Sequence, residues 1–231
     1  MQRALFITGG GSGLGAATAA HFAAQGWRVG IAGREEAKLR GVSISTGEVH
    51  GPVNCYPLDV ADSPALESAI TDFRPDGLVC SAAILGRGEV WDTLTPEGFA
   101  GVMNINAGGV FNACRAAMRF WRKENIVGNI VNVSSLAGIK GMQRFAGFAA
   151  YAASKHAVIG LTEALALEGK PHGIRVNAIA SGTLRSPMSA MLGLSPTTMP
   201  EAIVPTVEFL LDRTRSGALT GSIIEIHCND D

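Results

Sequence analysis

Short apolar runs alternate with stretches of helical period along the chain. The apolar runs are rich in valine and isoleucine and have the length of buried strands. They cover residues 4–8, 27–32, 53–56, 77–81, 127–134, 174–179 and 222–227. Helical periods fall between them, at residues 14–25, 64–73, 98–123, 150–167 and 200–211, and Ser63 is the expected N-cap of the second. This alternation predicts an α/β fold with a parallel sheet and right-handed helical crossovers.

The length of 231 residues allows one large domain or two small ones. No linker, repeat or low-complexity segment divides the pattern. The charge-rich residues 34–40 are interpreted as the solvated start of a helix. We therefore expect a single doubly wound domain over residues 1–231, with a mostly parallel sheet of about seven strands flanked by helices.

Composition excludes several classes of function. The net charge of −1 gives no basic surface for nucleic acid or an anionic membrane. The sequence contains no uncharged apolar run of 18 residues, so no membrane span is expected. The four cysteines form no CxxC pair and the five histidines are scattered, so no metal site is expected. We expect no secretory leader before the first strand and a reducing, cytoplasmic setting.

A glycine-rich turn separates the first strand from the first helix. It reads Thr8-Gly9-Gly10-Gly11-Ser12-Gly13-Leu14-Gly15. A strand that reverses into a helix while its backbone approaches a pyrophosphate needs glycine, and the helix N-terminus then supplies free N–H groups. By itself the turn is also compatible with a flexible loop. The strand before it and the helix after it favour a dinucleotide site, and the missing G-K-[ST] ending disfavours an NTPase.

The residue after the second strand bears on the choice of nicotinamide cofactor. An acid there favours NAD, whereas an arginine accommodates the additional phosphate of NADP. The chain has Gly33-Arg34, with no acid before Glu35. NADP is therefore preferred and NAD remains the alternative, because surface arginines are common.

Tyr151 and Lys155 are the candidate acid–base pair. Their spacing of four places them on one face of a predicted helix, where a half-buried aromatic and an extended lysine are also common. The lysine charge is expected to lower the pKa of the tyrosine towards neutral pH, which suits general acid–base catalysis.

Ser135 and Asn106 are the other two candidate catalytic residues. Ser135 follows a buried strand, at the edge of the sheet where ligands bind, and its hydroxyl is suited to orienting a carbonyl. Alone, it would be read as an ordinary strand-end serine. Asn106 would be read as a helix-interior amide.

Together these residues resemble the short-chain dehydrogenase/reductase family over nearly the whole chain. The resemblance implies a Rossmann-type fold and a tetrad in which Tyr151 exchanges the proton, Lys155 lowers its pKa and binds ribose, and Ser135 polarises the carbonyl. Asn106 would hold a water that relays protons through Lys155. The cofactor-binding residues that it implies, with Arg34 from the argument above, are Gly9, Gly11, Ser12, Gly13, Leu14, Arg34, Asp59, Val60, Ser81, Ala82, Tyr151, Lys155, Ser181, Gly182, Thr183 and Leu184.

The chain departs from the family pattern in four places. Cys80-Ser81-Ala82-Ala83 replaces Asn-Asn-Ala-Gly, which puts local hydrogen bonding in doubt, and Ser181-Gly182 replaces Pro-Gly. The loop between Ser135 and Tyr151 is longer than usual, and its Arg144 faces either solvent or a substrate anion. The segment 186–200 is short for a substrate lid. The expected pocket is apolar, around Ile139, Met142, Phe145, Phe148 and Leu184.

The leading interpretation is an oxidoreductase that transfers a hydride between NADP(H) or NAD(H) and a small-molecule carbonyl or secondary alcohol. The alternative is a non-catalytic NADP-binding sensor on the same scaffold. Methyl transfer would leave Tyr151, Lys155 and Ser135 without a role. The resemblance also implies a homodimer or homotetramer.

Overall fold

A single sheet organises the protein. The computed structural model describes residues 3–46, 53–142 and 145–228. Its seven strands all pair in parallel, in the order β3-β2-β1-β4-β5-β6-β7. They are Ala4–Thr8 (β1), Arg28–Gly33 (β2), Val53–Pro57 (β3), Gly77–Cys80 (β4), Asn129–Val133 (β5), Arg175–Ser181 (β6) and Ile223–Ile226 (β7).

Helices connect the strands and cover both faces of the sheet. In chain order they are Gly13–Ala24 (α1), Glu36–Thr46 (α2), Ser63–Phe73 (α3), Pro96–Met103 (α4), Gly109–Glu124 (α5), Ala149–Gly169 (α6), Pro187–Ala190 (α7), Val204–Leu211 (α8) and Arg213–Ser216 (α9). Within the described ranges, no helix is long and apolar enough to cross a membrane.

Two apolar cores lie on opposite faces because successive side chains of a strand point to opposite sides. In β1, Phe6 belongs to the core that α3, α5 and α6 cover. Its neighbours Leu5 and Ile7 belong to the other core, covered by α1 and α8. All three side chains are fully buried. Burial on both faces explains why the strands read as continuous apolar runs rather than as alternating ones.

The strand order reverses between β1 and β4. The chain begins in the middle of the sheet, builds outwards to β3, and returns to place β4 on the other side of β1. The connections after β1 and β4 therefore leave in opposite directions and open a crevice at the carboxyl edge, where open α/β sheets bind ligands. The predicted doubly wound α/β fold is confirmed, and the sheet is parallel throughout.

Three predicted details were wrong. The N-cap of α3 is Asp62, not Ser63, because the Asp62 carboxylate accepts a hydrogen bond of 3.0 Å from the Ala65 amide. The helix expected over 98–123 is interrupted by a π-turn, Asn104–Gly108, between α4 and α5. The stretch 200–211 begins as a 3-10 turn, Pro200–Ala202, and becomes α-helical only at Val204.

Trp121 fixes the approach of α5 to β5. Its ring is fully buried, and its indole Nε1 donates a hydrogen bond of 2.7 Å to the Pro75 carbonyl. Gly128, just before β5, lies against the ring so closely that a Cβ atom there would overlap it. The packing of Trp121 therefore requires glycine at position 128.

Gly128→Ala is expected to lower the free energy of unfolding by about 1–3 kcal/mol, the usual cost of overpacking a core. Gly160→Ala is the matched control, because nothing lies within 4 Å of the added Cβ in the exposed interior of α6. This control should be neutral or stabilising by up to about 1 kcal/mol. Urea denaturation of both variants measures the difference, and equal effects would contradict the proposed overlap.

Candidate active site

A cavity of about 640 Å³ opens at the crevice between the β1 and β4 connections. Segments that follow β1, β4, β5 and β6 line it, together with the first turns of α6 and α7. The predicted site residues that line this cavity are Gly9, Ser12, Gly13, Leu14, Ser81, Ala82, Ser135, Tyr151, Lys155, Ser181, Gly182, Thr183 and Leu184. Residues from distant parts of the chain therefore meet at one place.

The glycine turn is shaped by close backbone contacts. Gly9 has a φ of +70°, and its amide donates a hydrogen bond of 2.8 Å to the Ala32 carbonyl. A Cβ at Gly9 would lie 2.6 Å from the Ala82 amide nitrogen, and a Cβ at Gly15 would overlap the Gly9 carbonyl oxygen. Any side chain at either position would therefore separate the turn from α1 or from the β4 connection.

This turn fits the diphosphate of a dinucleotide. Ser12, the N-cap of α1, makes no side-chain hydrogen bond to the helix, so its side chain does not cap the first-turn N–H groups. Gly9 and Gly13 leave the neighbouring surface free of Cβ atoms, and both line the cavity. The residues present are thus suited to hold the nicotinamide dinucleotide that the sequence predicted.

Backbone hydrogen bonds hold the segment in which Cys80–Ala83 replaces the usual amides. The Ser81 amide donates a hydrogen bond of 3.1 Å to the Thr8 carbonyl, and the Ala82 amide donates one of 3.5 Å to the Thr8 hydroxyl. Two main-chain amides therefore attach this segment to Thr8 of β1 without the side-chain amides that the family usually has. The Ser181-Gly182 turn is similarly fixed by a 2.9 Å hydrogen bond from the Gly182 amide to the Ile226 carbonyl.

Tyr151 and Lys155 lie one turn apart near the start of α6. The ammonium of Lys155 is 5.6 Å from the centre of the Tyr151 ring, and its Nζ donates a hydrogen bond of 2.9 Å to the Val133 carbonyl. Ser135, two residues after β5, is buried and lines the same cavity, where its hydroxyl acts to lower the pKa of the phenol. These three residues form one group in the cavity wall.

The end of β5 and the helix α6 are clamped together at Lys155. The Ser134 hydroxyl donates a hydrogen bond of 2.9 Å to the Lys155 carbonyl. Gly138 faces the same carbonyl, and a Cβ there would lie 2.7 Å from its oxygen. The short 3-10 helix Leu136–Gly138 can therefore lie directly on α6, which keeps Ser135 near the tyrosine.

The pKa of Tyr151 shifts in the direction opposite to the one expected. Burial raises the pKa of the phenol, the hydrogen bond with Ser135 lowers it less, and the net shift is upward. Burial also lowers the pKa of Lys155 to about 8. Since desolvation disfavours the charged form of both groups, the expectation that lysine lowers the tyrosine pKa was wrong for the protein's own groups.

Asn106 lies outside the cavity wall and is completely buried in the π-turn. Its Nδ2 donates to the Ile84 carbonyl at 2.9 Å and to the Ser154 hydroxyl at 3.0 Å, while its Oδ1 accepts from the Ile84 amide at 2.8 Å. Both amide protons are therefore in use. The side chain joins the β4 connection to α6.

Gly11, Arg34, Asp59 and Val60 also lie outside the cavity, towards the carboxyl ends of β2 and β3. Arg34 is exposed directly after β2. The Asp59 carboxylate accepts a hydrogen bond of 2.9 Å from the Ala61 amide, and Val60 is buried against Gly109. This is the side of the crevice where the adenosine half of a dinucleotide binds in such folds.

The substrate end of the cavity differs in part from the prediction. Phe145, Phe148 and Leu184 line it, whereas Ile139 and Met142 do not, and Arg144 lies outside the described residues. Sequence reasoning missed several lining residues, although for most of them a position after β4 or in the lid segment was an available signal. They are Ala83, Leu85, Arg87, Ala137, Ala146, Pro187, Met188, Ser189, Leu192 and Leu194.

The fold and the cavity define an α/β protein of the dinucleotide-binding class. The family model for short chain dehydrogenases matches residues 3–195. The chain belongs to the short-chain dehydrogenase/reductase family. It is accordingly an oxidoreductase that uses NAD(P) to interconvert carbonyl and alcohol groups.

Named relatives and solved structures agree with this assignment. Levodione reductase of Leifsonia aquatica is 35% identical over 204 residues, which are 84% of this chain and 75% of that protein. A 3-oxoacyl-[acyl-carrier protein] reductase from Brucella melitensis with bound NAD is 30% identical, with a TM-score of 0.84 over 97% of this chain and 89% of that one. Actinorhodin polyketide ketoreductase with NADPH is 26% identical, with a TM-score of 0.88 over 98% and 96%.

The lowered pKa of Lys155 predicts a pH-dependent difference in stability between the wild type and Lys155→Met. The lysine titrates near 10.5 when unfolded and at about 8 when folded. Between these values the unfolded chain binds more protons, so wild-type stability rises with pH relative to the variant. The difference in free energy of unfolding should change by about 3 kcal/mol between pH 7 and pH 11. Urea denaturation across this range measures it, and parallel pH profiles would contradict the burial of a titrating amine.

Proposed function

We propose that the protein transfers a hydride between NADP(H) or NAD(H) and a carbonyl or secondary alcohol, with Tyr151 as the general acid and base. The observation that carries the proposal is that Ser135, Tyr151 and Lys155 line the same cavity as the glycine turn. A substrate bound in this cavity can therefore contact both the proton donor and the cofactor.

Each residue has a defined part in carbonyl reduction. The Ser135 hydroxyl orients the carbonyl oxygen, and Tyr151 donates its proton to that oxygen as it becomes an alcohol. The cofactor, when bound, supplies the hydride. The raised pKa of Tyr151 keeps the phenol protonated at neutral pH, which is the form that reduction requires.

Lys155 and Asn106 support this reaction. With a pKa of about 8, Lys155 carries positive charge at neutral pH next to the tyrosine and is suited to bind ribose hydroxyls. For Asn106 we propose a positioning role, because its hydrogen bonds tie the Ile84 segment to α6. The relay water implied by the family resemblance stays a prediction.

A non-catalytic NADP-binding sensor is the second candidate function. The replaced residues Cys80–Ala83 favour it, but the segment remains hydrogen-bonded to β1 and still faces the glycine turn. Methyl transfer has no use for Ser135 and Tyr151 in the cavity wall. Catalysis is therefore preferred over both.

Tyr151→Phe is expected to lower kcat for carbonyl reduction by roughly 10²–10⁴-fold, because the proton donor is removed. The matched control is Tyr56→Phe, which changes the chain's second tyrosine, on β3, where its hydroxyl donates to Asp72 at 3.0 Å. Steady-state kinetics with a panel of ketones compares the two, and fluorescence titration checks that NADPH binding is retained. Full activity in Tyr151→Phe would favour the sensor.

We propose NADP as the preferred cofactor. Arg34 follows β2 and is exposed, where its guanidinium can meet a ribose phosphate. The first acid after it, Glu35, is paired with Lys38, with 2.6 Å between the carboxylate oxygen and Nζ. Lys38 also lies beside Gly11 of the glycine turn. With Glu35 neutralised by Lys38, Arg34 leaves one net positive charge to support a phosphate at this position.

Arg34→Ala should weaken NADPH binding by roughly 10–100-fold and leave NADH binding nearly unchanged, because the hydrogen bonds lost are those to a charged phosphate. Arg40→Ala is the control, since this exposed arginine pairs with Glu36 further along α2. Fluorescence titration with both cofactors measures the dissociation constants. Tight NADH binding by the wild type without NADPH binding would overturn the preference.

We further propose that residues 1–231 form one domain, supported by the pairing of seven strands in one sheet, and that the chain assembles as a homodimer or homotetramer. The exposed rings of Phe99 on α4 and Phe111 on α5 support an assembly, because large exposed apolar side chains are common at interfaces. Sedimentation velocity tests it. The cytoplasmic location and the absence of nucleic-acid and membrane partners stay predictions.

A further inference from the structure

Arg87 is the charged side chain of the cavity wall that the proposed reaction leaves without a role, among the residues that the structure describes. The charged residues that line the cavity there are Lys155 and Arg87, and no aspartate or glutamate accompanies them. Lys155 is committed to the Val133 carbonyl and to the tyrosine. None of the ion pairs among the described residues includes Arg87.

The backbone around Arg87 is held in place by two glycines. Gly86 has a φ of +56°, and a Cβ there would overlap the Val102 side chain. Gly88 is buried, and a Cβ there would lie 2.9 Å from the Leu94 amide nitrogen. Neither neighbour accepts a side chain without displacement, so the position of Arg87 is built into the fold.

The arginine stem lies beside Gly147, in the loop before α6. The Gly88 amide donates a hydrogen bond of 2.9 Å to the Gly147 carbonyl, which joins the β4 connection to the loop before α6. A Cβ at Gly147 would lie 3.6 Å from Cγ of Arg87, which is ordinary van der Waals contact. The same loop carries Phe145 and Phe148 into the cavity. The arginine is thereby placed beside the aromatic wall.

The surroundings of Arg87 favour an anionic partner from outside the chain. Leu85, Leu192 and Leu194 also line the cavity, and no acidic side chain among the described residues lines it. A guanidinium presents a rigid fork of donors that matches the two oxygens of a carboxylate or phosphate. Arg87 is itself exposed, so water partly screens such a pair and the expected preference for an anion is moderate.

We infer that Arg87 selects substrates in which the reacting carbonyl or alcohol is joined through an apolar chain to an oxyanion, a carboxylate or a phosphate. This inference rests on the proposed function, since it names the substrate class of the same cavity. Arg87 binds the anionic end, and Tyr151 and Ser135 act on the other end. The arginine therefore contributes to KM rather than to the chemical step.

The test compares acids with their neutral esters. The probes are methyl-ketone acids from 4-oxopentanoate to 8-oxononanoate, each with its methyl ester, and the phosphate monoester of 5-hydroxypentan-2-one beside the free alcohol. The measured quantity is the ratio of kcat/KM for the charged probe to that for its neutral partner. The acid and phosphate arms show which oxyanion is preferred.

The wild type should prefer charged probes, and Arg87→Gln should reduce the ratio by roughly 3–10-fold through KM, as expected for a hydrogen-bonded ion pair that water partly screens. Arg87→Lys should restore part of the preference. Arg122→Gln, an exposed arginine on α5 outside this cavity, should leave the ratio at its wild-type value.

Equal ratios in the wild type and Arg87→Gln would overturn the inference while leaving the proposed function intact. If the wild type reduces no ketone, the proposed function fails instead. In that case, ligand-observed NMR measures whether the wild type and Arg87→Gln bind hexanoate and its methyl ester. Binding of hexanoate that is lost in Arg87→Gln supports an anion site, and binding that is unchanged refutes it.

Discussion

The site depends on direct contact between two stretches of backbone at the carboxyl edge of the sheet. The glycine turn after β1 and the connection after β4 touch at Gly9 and Ala82, with no side chain between them. The strand order makes this contact possible, because β1 and β4 are neighbours whose connections diverge. The crevice created by this divergence contains the glycine turn on one side and Tyr151 on the other.

Burial, rather than charge pairing, sets the electrostatics of this crevice. It raises the pKa of Tyr151 and lowers that of Lys155, so both groups are shifted towards their neutral forms. A neutral phenol is ready to donate a proton, and an amine that titrates at about 8 can exchange one near physiological pH. The polar wall of the cavity is thus suited to proton transfer in either direction.

The sequence predicted the fold well because strands buried on both faces of a parallel sheet appear in the sequence as continuous apolar runs. The Val/Ile-rich runs that became β1, β4 and β5 are examples, and the glycine turn is another. The gathering of Ser135, Tyr151 and Lys155 in one cavity was expected from their order along the chain and from the family resemblance.

The details that escaped prediction depend on contacts between distant segments. The π-turn at Asn104–Gly108 gives no periodic signal in the sequence. The hydrogen bonds that Asn106 makes to Ile84 and Ser154 give no such signal either. The net pKa shift of Tyr151 could not be read from its spacing to Lys155, because it depends on how deeply the fold buries the phenol. Arg87 was overlooked for the same reason, since its position follows from glycines that fit against Val102 and Leu94.

The three hydrogen bonds of Asn106 have a consequence for how this protein moves. They connect the β4 connection, the π-turn and α6, which are far apart in sequence. Opening any one of these segments leaves buried polar groups of the others without partners, at a cost of about 1–3 kcal/mol for each group. Local fluctuations of the three are therefore coupled, and their amide protons should exchange with solvent as one cooperative unit rather than segment by segment.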